Sequence, residues 1–179
     1  MIKVYDNFLP YDVADMQAFV LTSPNISWKI SEVVSPHLYN SDNDTNLNFQ
    51  FMHKFLDARN NDEIMINKNT FPYIKDLTDK IDASEWFRIK MNLNLVSSKI
   101  IEHGFHIDNY IERDDAYTGI YYVNNNNGYT LFENGEKIES VFNRFVVFPA
   151  NMQHTGTTCT DMPMRIVINF NFYRDHTEY

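Results

Sequence analysis

The chain has one cysteine, Cys159, so no disulfide can close within it, which fits a reducing compartment. It has no uninterrupted apolar run of the roughly 18 residues that a membrane-spanning helix needs. Its opening stretch, MIKVYDNFLP, lacks a long apolar h-region. Positive charge is also scarce: 15 Lys and Arg against 24 Asp and Glu give a formal net charge of −9. That balance disfavours a partner held mainly through its phosphates, although a small basic groove can survive inside an acidic protein. The expectations are a soluble, cytoplasmic protein with no membrane partner and with nucleic acid disfavoured.

What is present points to a globular chain. With 179 residues, 44% of them hydrophobic and 15% aromatic, it is expected to form one domain, residues 1–179, around a single substantial core. Asparagine is over-used, with 22 copies, favouring turns over long helices. Ile2–Tyr5 reads as a short strand. Val13, Met16, Phe19 and Val20 fall at helical spacing after Pro10 and predict a helix over 11–22. A second helix is expected over 70–81, with Phe71, Ile74, Leu77, Lys75 and Lys80 spaced for one buried face. Between them, 35–69 is polar and weakly patterned, with one apolar segment at 49–56 that suits a strand or short helix, and is expected to supply substrate-lid loops.

From Arg88 the character changes. RIKMNLNLV sets Ile89, Met91, Leu93 and Leu95 on one face and Arg88, Lys90, Asn92 and Asn94 on the other. YTGIYYVN is aromatic and β-branched. YTLF and KIESV flank Asn134-Gly135, a strong hairpin signal. RFVVF stops at Pro149, and RIVINFNFY alternates over 165–173. Two helices followed by seven or eight short strands predict an α+β, mainly β chain. Residues 1–85 give helical support and lid loops, and 86–173 form a sandwich or jelly-roll core.

GFHIDNY places His106 and Asp108 two positions apart, on one face of a strand. With 6 His and 24 acidic residues in 179, about 0.8 such His-x-acid triplets are expected by chance, and a second, His176–Thr177–Glu178, stands in the tail. The triplet alone decides nothing. His154 lies 46 positions beyond Asp108, after a turn at Pro149–Asn151. Two His and one carboxylate with open coordination positions are the facial triad of non-haem Fe(II) oxygenases. Arg165, 11 residues further on at the head of the last strand, can take a carboxylate bidentately.

In these blocks residues 86–173 resemble the double-stranded β-helix (jelly-roll, cupin-like) core of the 2-oxoglutarate/Fe(II)-dependent dioxygenases, particularly the prolyl-hydroxylase-like branch. The family's His-x-Asp, later His and following Arg or Lys are matched by HID, by His154 in PANMQHTG and by Arg165 in MRIVINF. YTGIYYVN is similar to the family's T-x-x-YYLN strand. NNGYTLF is similar to its GG-x-T-x-F block with only Gly128 of the glycine pair, and YDNFLP resembles the opening of many small members. The resemblance implies that His106, Asp108 and His154 bind Fe(II), while Arg165 and Tyr122 hold the distal carboxylate of 2-oxoglutarate. The family commonly places a Tyr or Asn on the strand before His-x-Asp to face the co-substrate. Asn92 and Asn94 stand there, and Asn94 is named. The implied activity is hydroxylation of a C–H bond of a protein or peptide side chain, or of a small molecule. O2 is consumed, succinate and CO2 are released, and ascorbate is the candidate reductant. The alternatives are a non-enzymatic jelly-roll module that binds metal or a partner, and a cupin-type metalloenzyme that does not use 2-oxoglutarate. Arg165 and Tyr122 discriminate among them by pointing into the barrel or out of it.

Other residues carry blander expectations. Asn169 should share Arg165's face and contact ligand or be a satisfied buried amide. His53 and Trp28 are candidates for a substrate mouth, against the readings of a loop histidine and a core tryptophan. His37, His103 and His176 are expected at the surface, Cys159 in the core or a loop, and Asn124–Asn127 in a solvated loop.

Overall fold

The structure is a computed structural model that describes residues 1–40, 42, 47–59, 64–108 and 113–175. Alternating and β-branched segments become two antiparallel sheets. The major one has the order β1 (Lys3–Tyr5), β9 (Arg144–Pro149), β6 (Ala116–Tyr122), β11 (Met164–Tyr173), β5 (Glu85–Leu95), β3 (Gln50–Asp57), β2 (Lys29–Ser31), with β4 (Met65–Ile66) paired to β3. The minor one is β10 (His154–Gly156), β7 (Tyr129–Phe132), β8 (Lys137–Glu139). Together they form the expected double-stranded β-helix. Strands β1 to β4 come from the first 85 residues, so the major sheet extends beyond 86–173, and the apolar segment at 49–56 is a strand. The Asn134–Gly135 hairpin joins β7 to β8, with Gly135 at φ +84°.

The two faces of the major sheet bury different things. One carries Ile89, Met91, Leu93, Ile166, Ile168, Phe170 and Phe172, packed under the helices through Leu21, Ile74, Leu77 and Ile81. The other faces the minor sheet, where Ile120, Tyr122, Val146, Phe148 and Val167 meet Phe132 and Ile138. Period-two alternation makes this division possible.

Helix α1 covers Tyr11–Leu21, near the expected bounds, but buries Ala14, Gln17 and Leu21. Met16 and Phe19, expected inside, are 63% and 72% exposed. The face that fits is the one with the small Ala14 at its centre. The second helix divides into a 3-10 turn, Phe71–Ile74, and α2, Lys75–Lys80. Pro72 within that turn removes a backbone donor. Ile74 and Leu77 are buried as the spacing predicts, while Lys75 and Lys80 are exposed or nearly so. Asn143, at φ 62°, exchanges two 2.8 Å hydrogen bonds with the backbone of Leu9, fastening the YDNFLP segment to the sheet. Among the described residues no helix is long and apolar enough to cross a membrane.

Candidate metal centre

The centre begins with a single β-bridge. His106 N–H donates to the His154 carbonyl at 2.9 Å and His154 N–H donates back at 3.0 Å, bringing the segment before Asp108 against β10. The two imidazoles thereby face each other with centroids 4.7 Å apart. Each ring is set by its own chain: His106 Nδ1 lies 3.1 Å from the Gly104 carbonyl, and His154 Nδ1 lies 3.0 Å from the Met152 carbonyl. A carbonyl only accepts, so both protons sit on Nδ1 and both Nε2 lone pairs are free. That is the arrangement metal-ligating histidines use.

Asp108 completes the set. One ligand atom from each of His106, Asp108 and His154 lies within 4.8 Å of the others, and Asp108 Oδ2 is 3.8 Å from His154 Nε2. The buried carboxylate is oriented by three side chains from three strands. Arg88 of β5 donates to Oδ1 at 2.8 Å, while Asn171 of β11 and Thr118 of β6 donate to Oδ2 at 3.2 and 3.3 Å. Arg88 also donates through Nε to Asn171 Oδ1 at 2.7 Å, which fixes the amide's orientation. Burial alone would raise the Asp108 carboxyl, but the Arg88 guanidinium overturns that and holds it well below the usual carboxylate range. Burial, then His154, pushes the His106 imidazole down, favouring the neutral, ligating form.

A narrow inner recess runs from the triad between the sheets. Its wall includes Asn92 and Asn94 of β5, Arg165 and Asn169 of β11, Thr130 of β7 and His103. Arg165 is buried, donates to Ser140 Oγ at 2.8 Å and reaches Thr130 Oγ1 at 3.4 Å, and has no carboxylate partner among the described residues. Burial works against its charge. Tyr122 lies one layer behind the wall: its ring is beside Arg165, with 5.7 Å from ring centroid to guanidinium carbon, and its hydroxyl donates to Thr130 Oγ1 at 2.8 Å. Asn169 shares Arg165's face, as the alternation predicts, and accepts from Asn92 Nδ2 at 3.4 Å. Four buried polar atoms here have no hydrogen-bond partner among the described residues: Asn92 Oδ1, Asn94 Nδ2 and both ring nitrogens of His103.

His103 corrects the sequence reading, which put it at the surface; it is 1% exposed. On a regular strand His103 and His106, three apart, would face opposite sides. Gly104, at φ +145°, breaks the pleat and turns both inward. Burial, with Arg165 and His106 nearby, pushes the His103 imidazole down to about 4, so it is neutral near pH 7.

Outside the triad lies a second cavity of about 370 Å³, walled by Val33, Val34, Leu38, Phe87 and Ile107 and by the cations Arg59, Arg88 and Lys90. Ser35, Leu38 and Arg59 come from the segment expected to form lid loops, of which 41, 43–46 and 60–63 fall outside the described residues. Neither mouth candidate lines it. His53 is buried on the opposite face, hydrogen-bonded to the Ser27 carbonyl and to Thr70 Oγ1, both at 2.8 Å, and Trp28 packs on the helical core. His37 is exposed, Cys159 is buried, and His176 lies outside the described residues. Sequence reasoning did not assign roles to Arg88, Lys90, Thr118, Thr130, Ser140 and Asn171. For Arg88, Lys90 and Asn171 the signal existed, since each shares a strand face with a named site residue.

No family model matches the chain, and no curated protein sequence matches it. Solved structures do. A Pseudomonas putida prolyl-4-hydroxylase superposes with a TM-score of 0.61 over 97% of this chain and 92% of its own, at 12% identity. A Trichoplax adhaerens prolyl hydroxylase, solved with a hypoxia inducible factor peptide, gives 0.65 over 96% and 83%, at 15% identity. The chain has the fold of the 2-oxoglutarate/Fe(II) oxygenases. A non-heme alpha ketoglutarate dependent epimerase of nogalamycin biosynthesis gives 0.56 over 97% and 80%, at 10% identity, so this fold serves more than one chemistry.

Proposed function

We propose that the chain is an Fe(II)- and 2-oxoglutarate-dependent oxygenase that hydroxylates a C–H bond of a peptide side chain or of a small molecule. One observation carries the reading. A buried guanidinium with no carboxylate partner among the described residues, Arg165, closes a recess that opens on His106, Asp108 and His154. An unpaired buried cation is costly, and a dicarboxylate reaching from the triad to Arg165 removes that cost.

The residues fit both groups. His106 and His154 present Nε2, and Asp108 presents a carboxylate held ionised by Arg88, a donor set suited to Fe(II) with positions left open. Arg165 receives the far carboxylate of 2-oxoglutarate. Thr130 adds its hydroxyl hydrogen, because its oxygen already accepts from Tyr122 and Arg165. Tyr122 thus acts through Thr130, and Asn94 and His103 offer unpartnered atoms along the path. When bound, the pair would supply oxidative decarboxylation of 2-oxoglutarate by O2 to succinate and CO2, coupled to hydroxylation, the co-substrate and the C–H bond each giving two of the four electrons that O2 takes, with ascorbate the candidate for keeping the iron as Fe(II). The protein orients the ligands and lines the recess beside them with the apolar side chains of Ile120 and Val167. A reducing, cytoplasmic location belongs to the same proposal, consistent with one buried thiol.

The test is succinate release. Aerobic incubation with Fe(II) and 2-oxoglutarate should yield succinate stoichiometric with the CO2 released, and His154→Ala should reduce it to the metal-only background. Equal turnover in wild type and His154→Ala would overturn the proposal.

A further inference from the structure

Lys90 has no counterpart in the scheme above. It lies on β5 between Arg88 and Asn92, on the face that turns inward, and lines both the inner recess and the outer cavity. Its ammonium makes no hydrogen bond or ion pair with any described residue, although its neighbours are heavily paired. Arg88 is bound to Asp108 at 2.8 Å. Arg59 forks onto Asp57 through bonds of 2.8 and 2.7 Å, and Lys54, the cross-strand partner of Lys90, reaches the same Asp57 at 2.7 Å. Among the described residues these four cations therefore share two carboxylates, and on the oxygenase reading one of those two is committed to the metal. This occurs inside a chain whose net charge is −9.

The imbalance outlasts filling of the centre. Fe(II) and 2-oxoglutarate carry opposite double charges, so loading both leaves the excess positive charge where it was. Burial and the surrounding Arg88, Arg59 and Lys54 push the Lys90 ammonium down to about 7, a cost that an adjacent anion relieves. Arg88 and Arg59 each meet a carboxylate, and a carboxylate on the ligand gives Lys90 the partner it lacks. The remaining wall of the outer cavity is apolar: Val33, Val34, Leu38, Phe87 and Ile107. Its volume of about 370 Å³ is in the range of small-molecule sites.

We propose that Lys90 anchors a carboxylate of the substrate, so that the molecule oxidised at this centre is a carboxylic acid whose apolar body rests against Val33, Leu38 and Phe87. The proposal rests on the oxygenase reading and deepens it by naming the substrate class. The carboxylate can belong to a free acid or to an acidic side chain of a peptide, and the experiment separates these sources.

Two matched pairs are titrated: valerate against valeramide, and acetyl-Ala-Glu-Ala-amide against its Gln counterpart. Binding is followed by thermal shift on the anaerobic protein loaded with Fe(II) and saturated with 2-oxoglutarate. It is followed by amide NMR on the metal-free Arg165→Met protein, where the inner guanidinium cannot compete. In at least one pair the acid should bind about tenfold or more tighter than the amide, a difference of about 1.4 kcal/mol. Lys90→Met should erase that preference and Lys90→Arg should keep it. A preference in the valerate pair alone assigns a free acid, and one in the peptide pair alone assigns a peptide. No preference in either pair overturns the proposal, as does a preference that survives Lys90→Met. A loss of 2-oxoglutarate affinity in Lys90→Met with the acid-to-amide ratio unchanged also overturns it, by assigning Lys90 to the co-substrate. A chain that binds no iron yet shows the preference in the metal-free arm overturns the oxygenase reading, and with it the oxidation of the bound acid, while keeping Lys90 as a carboxylate anchor.

Discussion

His103 shows what one buried side chain does to the whole molecule. In the unfolded chain its imidazole takes a proton near the ordinary histidine value of 6.5; in the folded one it stays neutral down to about 4. The unfolded state thus binds more protons in that window, and stability is lost as pH falls from about 6.5 towards 4. The loss approaches about 3 kcal/mol at the lower end, at about 1.4 kcal/mol per pH unit. Urea midpoints of the metal-free protein should decline across this range, and those of His103→Gln should decline less steeply; equal slopes would contradict the account. The same residue marks a limit of legibility. His106, Asp108, His154 and Arg165 were readable because their types and order match one chemistry. His103 was not, because its inward direction depends on the backbone turn at Gly104 rather than on alternation.

The segment before Asp108 is the fragile element. Gly104 sits at φ +145°, and a Cβ there would meet the Leu38 carbonyl oxygen at 1.9 Å, a backbone atom that cannot step aside locally. Gly104→Ala should therefore shift the segment carrying His106 and weaken Fe(II) binding at least about tenfold, or 1.4 kcal/mol. Gly135→Ala, in the open β7–β8 turn with nothing within 4 Å, is the control and should cost only roughly 1 kcal/mol of stability, with metal affinity unchanged. Wild-type metal affinity in Gly104→Ala would refute this account. Gly128 has a tighter role than a turn: a Cβ there would lie 2.7 Å from Arg165 Cδ. Elements themselves were largely legible, since β5, β7, β8 and β11 follow alternation and the Asn-Gly turn. The buried face of α1 was not. Large apolar side chains at helical spacing suggested Met16 and Phe19, while close packing selected Ala14 and Leu21.

At the scale of the molecule, the major sheet separates two tasks. Its helical face holds an apolar core, and its inner face carries Arg88, Lys90, Asn92, Asn94, Arg165, Asn169 and Asn171. Alternation in β5 showed two faces but not which one met water; here the polar face is the one enclosed between the two sheets. Of the strands that the first 85 residues add to the sheet, β1 was legible at Ile2–Tyr5 and β3 lay between strand and short helix, while β2 and β4 are too short to show a period. The central claim is that this inner face holds iron at one end of the recess and a dicarboxylate at the other. Anaerobic titration with Fe(II) and then 2-oxoglutarate, following the weak visible metal-to-ligand band, tests it most directly. Wild type should develop the band saturably. Arg165→Met should keep iron binding but need roughly 10- to 100-fold more 2-oxoglutarate, the loss of a charge-assisted pair worth about 1.5–3 kcal/mol. His154→Ala should give no band. A wild type without the band, or an Arg165→Met that saturates like wild type, would contradict the account.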